Sequence, residues 1–409
     1  MRIDYNIKDK FDFGLLFPAL ALFLIGLAAI YSSTANNPAA SGNFEKQVIW
    51  GIISLIVFFI TYSIPTNIFK TVALPSYIFT ILLLVIVVAI GRQISGSKSW
   101  ITFGILGFQP SELAKVSTIF MLAAYLSRNN SDIDSFKDIF FAILIGLFPV
   151  ALILLQPDLG TALVFVGLLL AVIFWKGIST FSLFMVLSPA IVAIASLFGF
   201  YYFLFVLAAI VITLFFFKKD LFFSGSIFAL NLASGFFTDY VFRALSPHQQ
   251  KRILAFVDPT SDPLGSGYNS IQAKIAIGSG GLFGKGFLGG NQTQLQFIPE
   301  QWTDFIYCVI GEEFGFIGSI VALVIFIYLF LKILKLAHNT KDEFLSLVSI
   351  GILSVFFIHF IINLGMVVGI MPVIGIPLPF VSYGGSSLLV NMFMLGVLAN
   401  IYRTRKNYT

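Results

Sequence analysis

Residues 297–318, FIPEQWTDFIYCVIGEEFGFIG, read as the opening of an apolar helix, yet they carry Glu300, Asp304, Glu312 and Glu313. A carboxylate at the centre of a bilayer costs roughly 3 kcal/mol on insertion scales, so such residues face a protein interior, a water-filled cavity or a reaction. That the surroundings are a bilayer follows from composition. Of the 409 residues 58% are hydrophobic and 11% charged, less than half the roughly 25% charged residues of soluble globular chains. The chain is a polytopic membrane protein.

With about 20 apolar residues needed per crossing, twelve segments are expected, near 13–33, 47–64, 71–91, 111–127, 139–156, 158–175, 180–199, 200–217, 221–239, 303–334, 345–369 and 383–402. Placing the N-terminus in the cytoplasm puts fifteen of the 24 basic residues inside, so the positive-inside rule accounts for most of the net charge of +5. A nucleic-acid partner is not implied. Lys46, Arg92, Lys98, Arg243, Lys251, Arg252, Lys274 and Lys285 remain on the outer face and need another reason. The first helix is too long for the apolar core of a signal peptide and is expected to stay. Cys308 is alone, and His248, His338 and His359 are scattered without metal-ligand spacing.

Two outer stretches are long, Arg92 to Pro110 and the large loop over 240–302. Loops on a rigid scaffold commonly carry function. Within the second, residues 269–277 place Ile271, Ile275 and Ala276 at helical spacing, which reads as a short amphipathic helix on the membrane surface. The glycines after it hold two decoys. Gly284, Gly286 and Gly289 match G-x-G-x-x-G but lack the preceding strand and following helix of a dinucleotide site. A P-loop fails because Ser279 takes the first glycine position and Gly286 the Ser/Thr position. Tight turns that let backbone approach a ligand are the expectation. No internal repeat is evident.

Four constellations sit at outer helix ends. In GSKSWITFGILGFQPSELAKVS (96–117), Pro110 and Ser111 start a helix whose Glu112 and Lys115 share a face, as a structural ion pair or as a lysine meeting an anionic ligand. In LLQPDLGTALVF (154–165), Asp158 is a good N-cap, which by itself explains the residue. On one continuous helix, Asp304 would lie about 12 Å along the axis from Glu312. Paired glycosidase carboxylates lie roughly 5–9.5 Å apart, so the two take different roles: Asp304 near the boundary marked by Trp302 touches substrate or caps a helix, while Glu312 and Glu313 hydrogen-bond inside the bundle. In NLGMVVGIMPVIGIPLPFVSYGGSSLLVNM (363–392), Pro372, Pro377 and Pro379 interrupt the apolar run, so a re-entrant segment lines the cavity, with Ser382, Tyr383, Ser386 and Ser387 as available donors.

Together these motifs resemble the SEDS family of bacterial cell-wall polymerases, its RodA branch more than FtsW, on DPLGSGYNSIQAKIAIGSGGLFGKG, NQTQLQFIPEQWTDFIY and PVIGIPLPFVSYGGSS over nearly the whole chain. Two departures stand out: residues 180–220 look like an extra helix pair beyond the family's ten, and Trp302 stands where histidine is usual. The expected architecture is thus an all-α membrane domain over 1–409. The resemblance implies a lipid II-dependent peptidoglycan glycosyltransferase serving elongation and shape in the bacterial cytoplasmic membrane, both termini inside and the site outside, with a class B penicillin-binding protein as partner. It matches Asp304 to the family's essential aspartate, Asp158 to that of QPDLGT, and Glu112 and Lys115 to its QPSE..K pair. The expected chemistry is Asp304 as base for an acceptor 4-hydroxyl, with Lys115 and Arg252 or Lys98 on the leaving pyrophosphate. A divalent ion, Mg or Mn, can accompany that group, and no dedicated protein metal site is evident. Two rivals remain, a transporter that flips lipid II along an intramembrane acid path and a non-catalytic scaffold. A carrier needs its site near the midplane, whereas these polar residues cluster at the outer face.

Overall fold

Inside a bilayer every backbone N–H and C=O has to find its partner within the protein, and apolar segments do so as helices. The computed structural model describes residues 11–94, 97–103, 106–128, 135–217, 221–244, 250 and 268–405. In order, the main elements are α1 (Phe13–Thr34), α2 (Asn43–Ser63), α3 (Ala73–Ile90), β1 (Arg92–Ile94), β2 (Ser97–Phe103), β3 (Leu106–Phe108), α4 (Pro110–Leu126), α5 (Phe136–Leu154) and α6 (Leu159–Lys176). Then come α7 (Thr180–Leu197), α8 (Phe200–Phe217), α9 (Leu221–Ala244), α10 (Tyr268–Gly280), α11 (Ile306–Glu313), α12 (Gly315–Asn339), α13 (Glu343–Val368) and α14 (Gly385–Thr404).

Among the described residues nine helices are long and apolar enough to cross a membrane: α1, α2, α3, α5, α6, α8, α12, α13 and α14. The other three expected segments, near 111–127, 180–199 and 221–239, are helical too, as α4, α7 and α9, but are not among those nine. Helices α13 and α14 form the centre, with 72% of each apolar span buried. Helix α14 runs along α2, while α13 packs on α6, α4 and α12. Helices α7, α8 and α9 pack chiefly on one another around a separate core of Val192, Phe203, Leu207, Ile210, Leu214 and Ile227.

The chain is not wholly helical. The first outer loop folds as a three-stranded antiparallel sheet in which Ile101 pairs with Phe108 and Phe103 with Leu106. The Lys98 N–H donates to the Gln156 carbonyl at 3.1 Å, tying the sheet to the α5–α6 turn.

The helix expected over 303–334 is broken. Helix α11 stops at Glu313 and α12 restarts at Gly315, whose φ of +67° no side chain adopts comfortably. Asp304 precedes both, in the turn before α11, so the distance along a continuous helix does not apply to it. The break leaves helix-end groups unpaired, and the glycine-rich turn supplies them. Lys285 and Gly286 N–H donate to the Glu312 and Glu313 carbonyls at 3.0 Å each, and Phe316 and Ile317 N–H donate to Gly281 and Leu282 carbonyls at 2.9 and 3.2 Å. Close backbone approach makes this exchange possible. A Cβ on Gly284 would lie 2.1 Å from the Glu313 carbonyl oxygen, and one on Gly280 would lie 2.0 Å from that of Gly311. Gly280 and Gly284 bring backbone against backbone.

The Glu312 side chain completes the joint. It is fully buried and accepts from Lys285 Nζ at 2.9 Å, Gln292 N–H at 2.9 Å, Thr293 N–H at 2.9 Å, Thr293 Oγ1 at 2.8 Å and Ser279 Oγ at 3.4 Å. Glu313 accepts from Ser32 of α1 and, at 3.4 Å, from Gln294 Nε2. These two acids therefore fasten the outer loop to the bundle. Helix α10 packs on α11, α13 and α12. Its buried face is Ala273, Ala276 and Gly280, small residues that permit close helix contact, while Ile275 is exposed.

Two consequences are measurable by thermal unfolding in detergent. Gly284→Ala, with φ +80° and the backbone collision above, is expected to destabilise by about 2 kcal/mol or more, whereas Gly278→Ala, in α10 with open space around it, is neutral or stabilising by up to about 1 kcal/mol. Glu312→Gln turns a charged acceptor into an amide facing N–H donors. With Lys285 only partly exposed, a loss of about 2–3 kcal/mol is expected, with faster proteolysis of residues 279–297.

Candidate active site

Between α13 and α14 the chain runs without helix from Gly369 to Gly384, and Ile376, Leu378, Phe380, Val381 and Ser382 within it are buried. Such backbone persists at depth only against protein or a water-filled cavity, and groups from four directions pack against it. From α13, Asn363 Nδ2 donates to the Ile376 carbonyl at 2.7 Å, and His359 Nδ1, one turn earlier, lies 3.1 Å from the Pro377 carbonyl. From α2, the fully buried Gln47 donates to the Ser382 carbonyl at 3.3 Å and accepts from Gly384 N–H at 3.2 Å. From α6, Gly160 lets the first turn press against Ile374 and Ile376.

The fourth direction is the Asp304 turn. Three consecutive carbonyls are pinned: Trp302 accepts from Tyr383 N–H at 2.9 Å, Thr303 from Ser382 Oγ at 2.5 Å, and Asp304 from Asn363 Nδ2 at 2.9 Å. Asp304 itself is half-buried, its Oδ2 passing so near Gly375 that a Cβ there would be 3.1 Å away. Trp302 contributes a main-chain carbonyl, which any residue supplies, so its side chain leaves this contact unaffected.

Each residue expected from sequence now has a place. Glu112 and Lys115 pair at 3.0 Å on α4, but Lys115 is 1% exposed. Its ammonium uses two of its three donors, one on Glu112 and one on His359 Nε2, 3.0 Å away. Asp158 is the N-cap of α6, accepting from Thr161 N–H at 3.0 Å and Thr161 Oγ1 at 2.9 Å, and from Gln109 Nε2 at 3.1 Å. Through Gln109, which precedes α4, the cap also fixes where the Glu112 and Lys115 helix begins. Ser382 is not an available donor, since its hydroxyl is committed to Thr303 and accepts from Leu378 N–H at 2.8 Å. Ser386 lies buried in the first turn of α14. Lys98 is exposed on β2. Arg252 lies outside the described residues.

Sequence reasoning missed His359, Asn363 and Gln47. The signal for the first two was present: polar residues four apart in an otherwise apolar helix face one way. Among the described residues no group of three or more His, Cys, Asp or Glu comes together to hold a metal ion. The carboxylates of Asp158, Glu112 and Glu312 already serve a cap, an ion pair and the loop joint.

The cell cycle protein family model covering FtsW, RodA and SpoVE matches residues 13–407. The peptidoglycan glycosyltransferase RodA of Treponema pallidum is 34% identical, the match covering 98% of this chain and 99% of that protein. The peptidoglycan glycosyltransferase MrdB of Escherichia coli is 35% identical over 98% of this chain and 97% of that protein. Among solved structures, a chain from a study of how a peptidoglycan synthase complex coordinates polymerization and crosslinking superposes with a TM-score of 0.74 at 28% identity, covering 97% of this chain and 98% of that one. With the family match spanning residues 13–407, the chain belongs to the FtsW, RodA and SpoVE family.

Proposed function

We propose that the chain is a peptidoglycan glycosyltransferase that polymerises lipid II during elongation. The observation that carries the reading is the pinning of the Trp302, Thr303 and Asp304 carbonyls, which fixes one half-buried carboxylate at the end of a helix bundle. Catalysis by a single base depends on such preorganisation, since proton transfer needs hydrogen-bond reach.

In this mechanism the Asp304 carboxylate takes the proton of the acceptor sugar 4-hydroxyl. The oxygen attacks the donor anomeric carbon from the face opposite the leaving group, the configuration inverts, and undecaprenyl pyrophosphate departs with the bonding pair. Lys98, exposed beside the α5–α6 turn, and Arg252 stabilise the departing anion. The buried charge of Lys115 acts from behind the wall. A divalent ion would arrive with the pyrophosphate and add neutralising charge. The lipid tails lie between helices at the outer leaflet, with both termini on the cytoplasmic side. A class B penicillin-binding protein would cross-link the product, a partnership supported by the likeness to a chain of a synthase complex. The two relatives named RodA and MrdB support elongation as the process served. The flippase reading relied on Glu312 and Glu313 as a proton path, and Glu312 is instead held by five donors in the loop joint.

Purified protein given fluorescent lipid II, with and without a penicillin-binding protein whose transpeptidase site is inactivated, is expected to make glycan strands. Asp304→Ala is expected to lower the rate by at least about 100-fold. Strands from that variant at the wild-type rate would overturn the base assignment; lipid II crossing vesicle bilayers with no strands from either protein would favour the flippase.

A further inference from the structure

Lys115 and Asp304 sit on different elements, and one side chain stands between their supports. His359 is 6% exposed and makes two polar contacts of opposite kind. Its Nε2 lies 3.0 Å from Lys115 Nζ, and its Nδ1 lies 3.1 Å from the Pro377 carbonyl. An ammonium only donates and a carbonyl only accepts. The ring therefore satisfies both in one state alone, neutral with the proton on Nδ1, so that Nδ1–H donates to Pro377 and Nε2 accepts from Lys115. The other tautomer breaks both contacts, and a doubly protonated ring turns a donor toward the ammonium.

Four residues along the same helix, Asn363 holds the adjoining Ile376 carbonyl and the Asp304 carbonyl with one amide group. Two neighbouring turns of α13 thus grip two consecutive carbonyls of the buried loop, one turn reaching Lys115 and the other Asp304. We propose that His359, fixed as its Nδ1–H tautomer, is the positioning residue that sets the Lys115 charge relative to the Asp304 turn. It touches no reacting atom and acts through Lys115. The inference rests on the polymerase reading for its kinetic consequence but not for its tautomer.

The replacement that separates packing from polarity is Gln. Its amide carries an acceptor and a donor on one carbon, as the two ring nitrogens flank Cε1, whereas Leu fills space and does neither. Losing a hydrogen bond to a charged group is worth about 10- to 100-fold. Accordingly His359→Leu is expected to lower kcat for lipid II polymerisation by that factor with KM little changed, and His359→Gln to recover most of the loss, thermal unfolding confirming that each variant is folded. The chain has three histidines, so the ring nitrogens of His359 can be observed by NMR in the 15N-histidine-labelled full chain in lipid nanodiscs, assigned by their disappearance in His359→Gln. The expected spectrum has Nδ1 protonated and Nε2 bare at neutral pH, with the Nε2 resonance moving in Lys115→Met. An Nε2–H or doubly protonated ring would overturn the proposal, as would wild-type kcat in folded His359→Leu. Asp304→Ala measured alongside keeps the failures apart: if it too polymerises normally, the base assignment has failed and the nitrogen spectrum still decides the role of His359.

Discussion

Irregular backbone buried among membrane helices has no water to turn to, and each unsatisfied group there costs several kcal/mol. That requirement accounts for the buried Gln47, Glu312, His359, Asn363 and Ser382. It operates twice, once at the break between α11 and α12 and once along residues 369–384. At the break, backbone from the glycine-rich turn and the Glu312 carboxylate absorb the loose ends. Along the loop, Gln47, His359, Asn363 and Ser382 do so one carbonyl or N–H at a time. The Asp304 turn lies between the two solutions and is stapled by the second.

The charges that attract attention in the sequence divide on this basis. Removing one partner of a buried ion pair is strongly destabilising, while the pair itself adds little net stability. Buried pairs therefore earn their place through geometry. Glu312 with Lys285 sets where the loop lies, and Glu112 with Lys115 sets a charge behind the wall of the site. Asp158 contributes as a cap that fixes two helix starts. Asp304, half-buried like Asp158, lies on a turn whose main chain is held by α13 and the buried loop.

Much of this was legible in the residues. The apolar runs gave the helices to within about five residues at each end, the broken 303–334 segment apart, the prolines at 372, 377 and 379 marked the irregular loop, and Asp304 stood out as an acid beside a boundary tryptophan. What stayed hidden depended on partners distant in sequence. Gly315 looks like any glycine in a membrane helix until Gly284 is placed against it. The buried face of α10 is alanine and glycine, which carry little hydrophobic signal, so its packing on the bundle did not show. Ser382 and Lys115 read as available groups because nothing local reveals that Thr303 and His359 occupy them. Two of the three β-strands of the first outer loop are three residues long, too short for alternation to show.

The most direct test of the central claim is a structure of the full chain in lipid nanodiscs bound to a lipid II analogue that cannot transfer. The account predicts the acceptor 4-hydroxyl about 3 Å from the Asp304 carboxylate, with the lipid entering between helices at the outer leaflet. Lipid II held near the midplane, away from Asp304 and open to both sides, would contradict it.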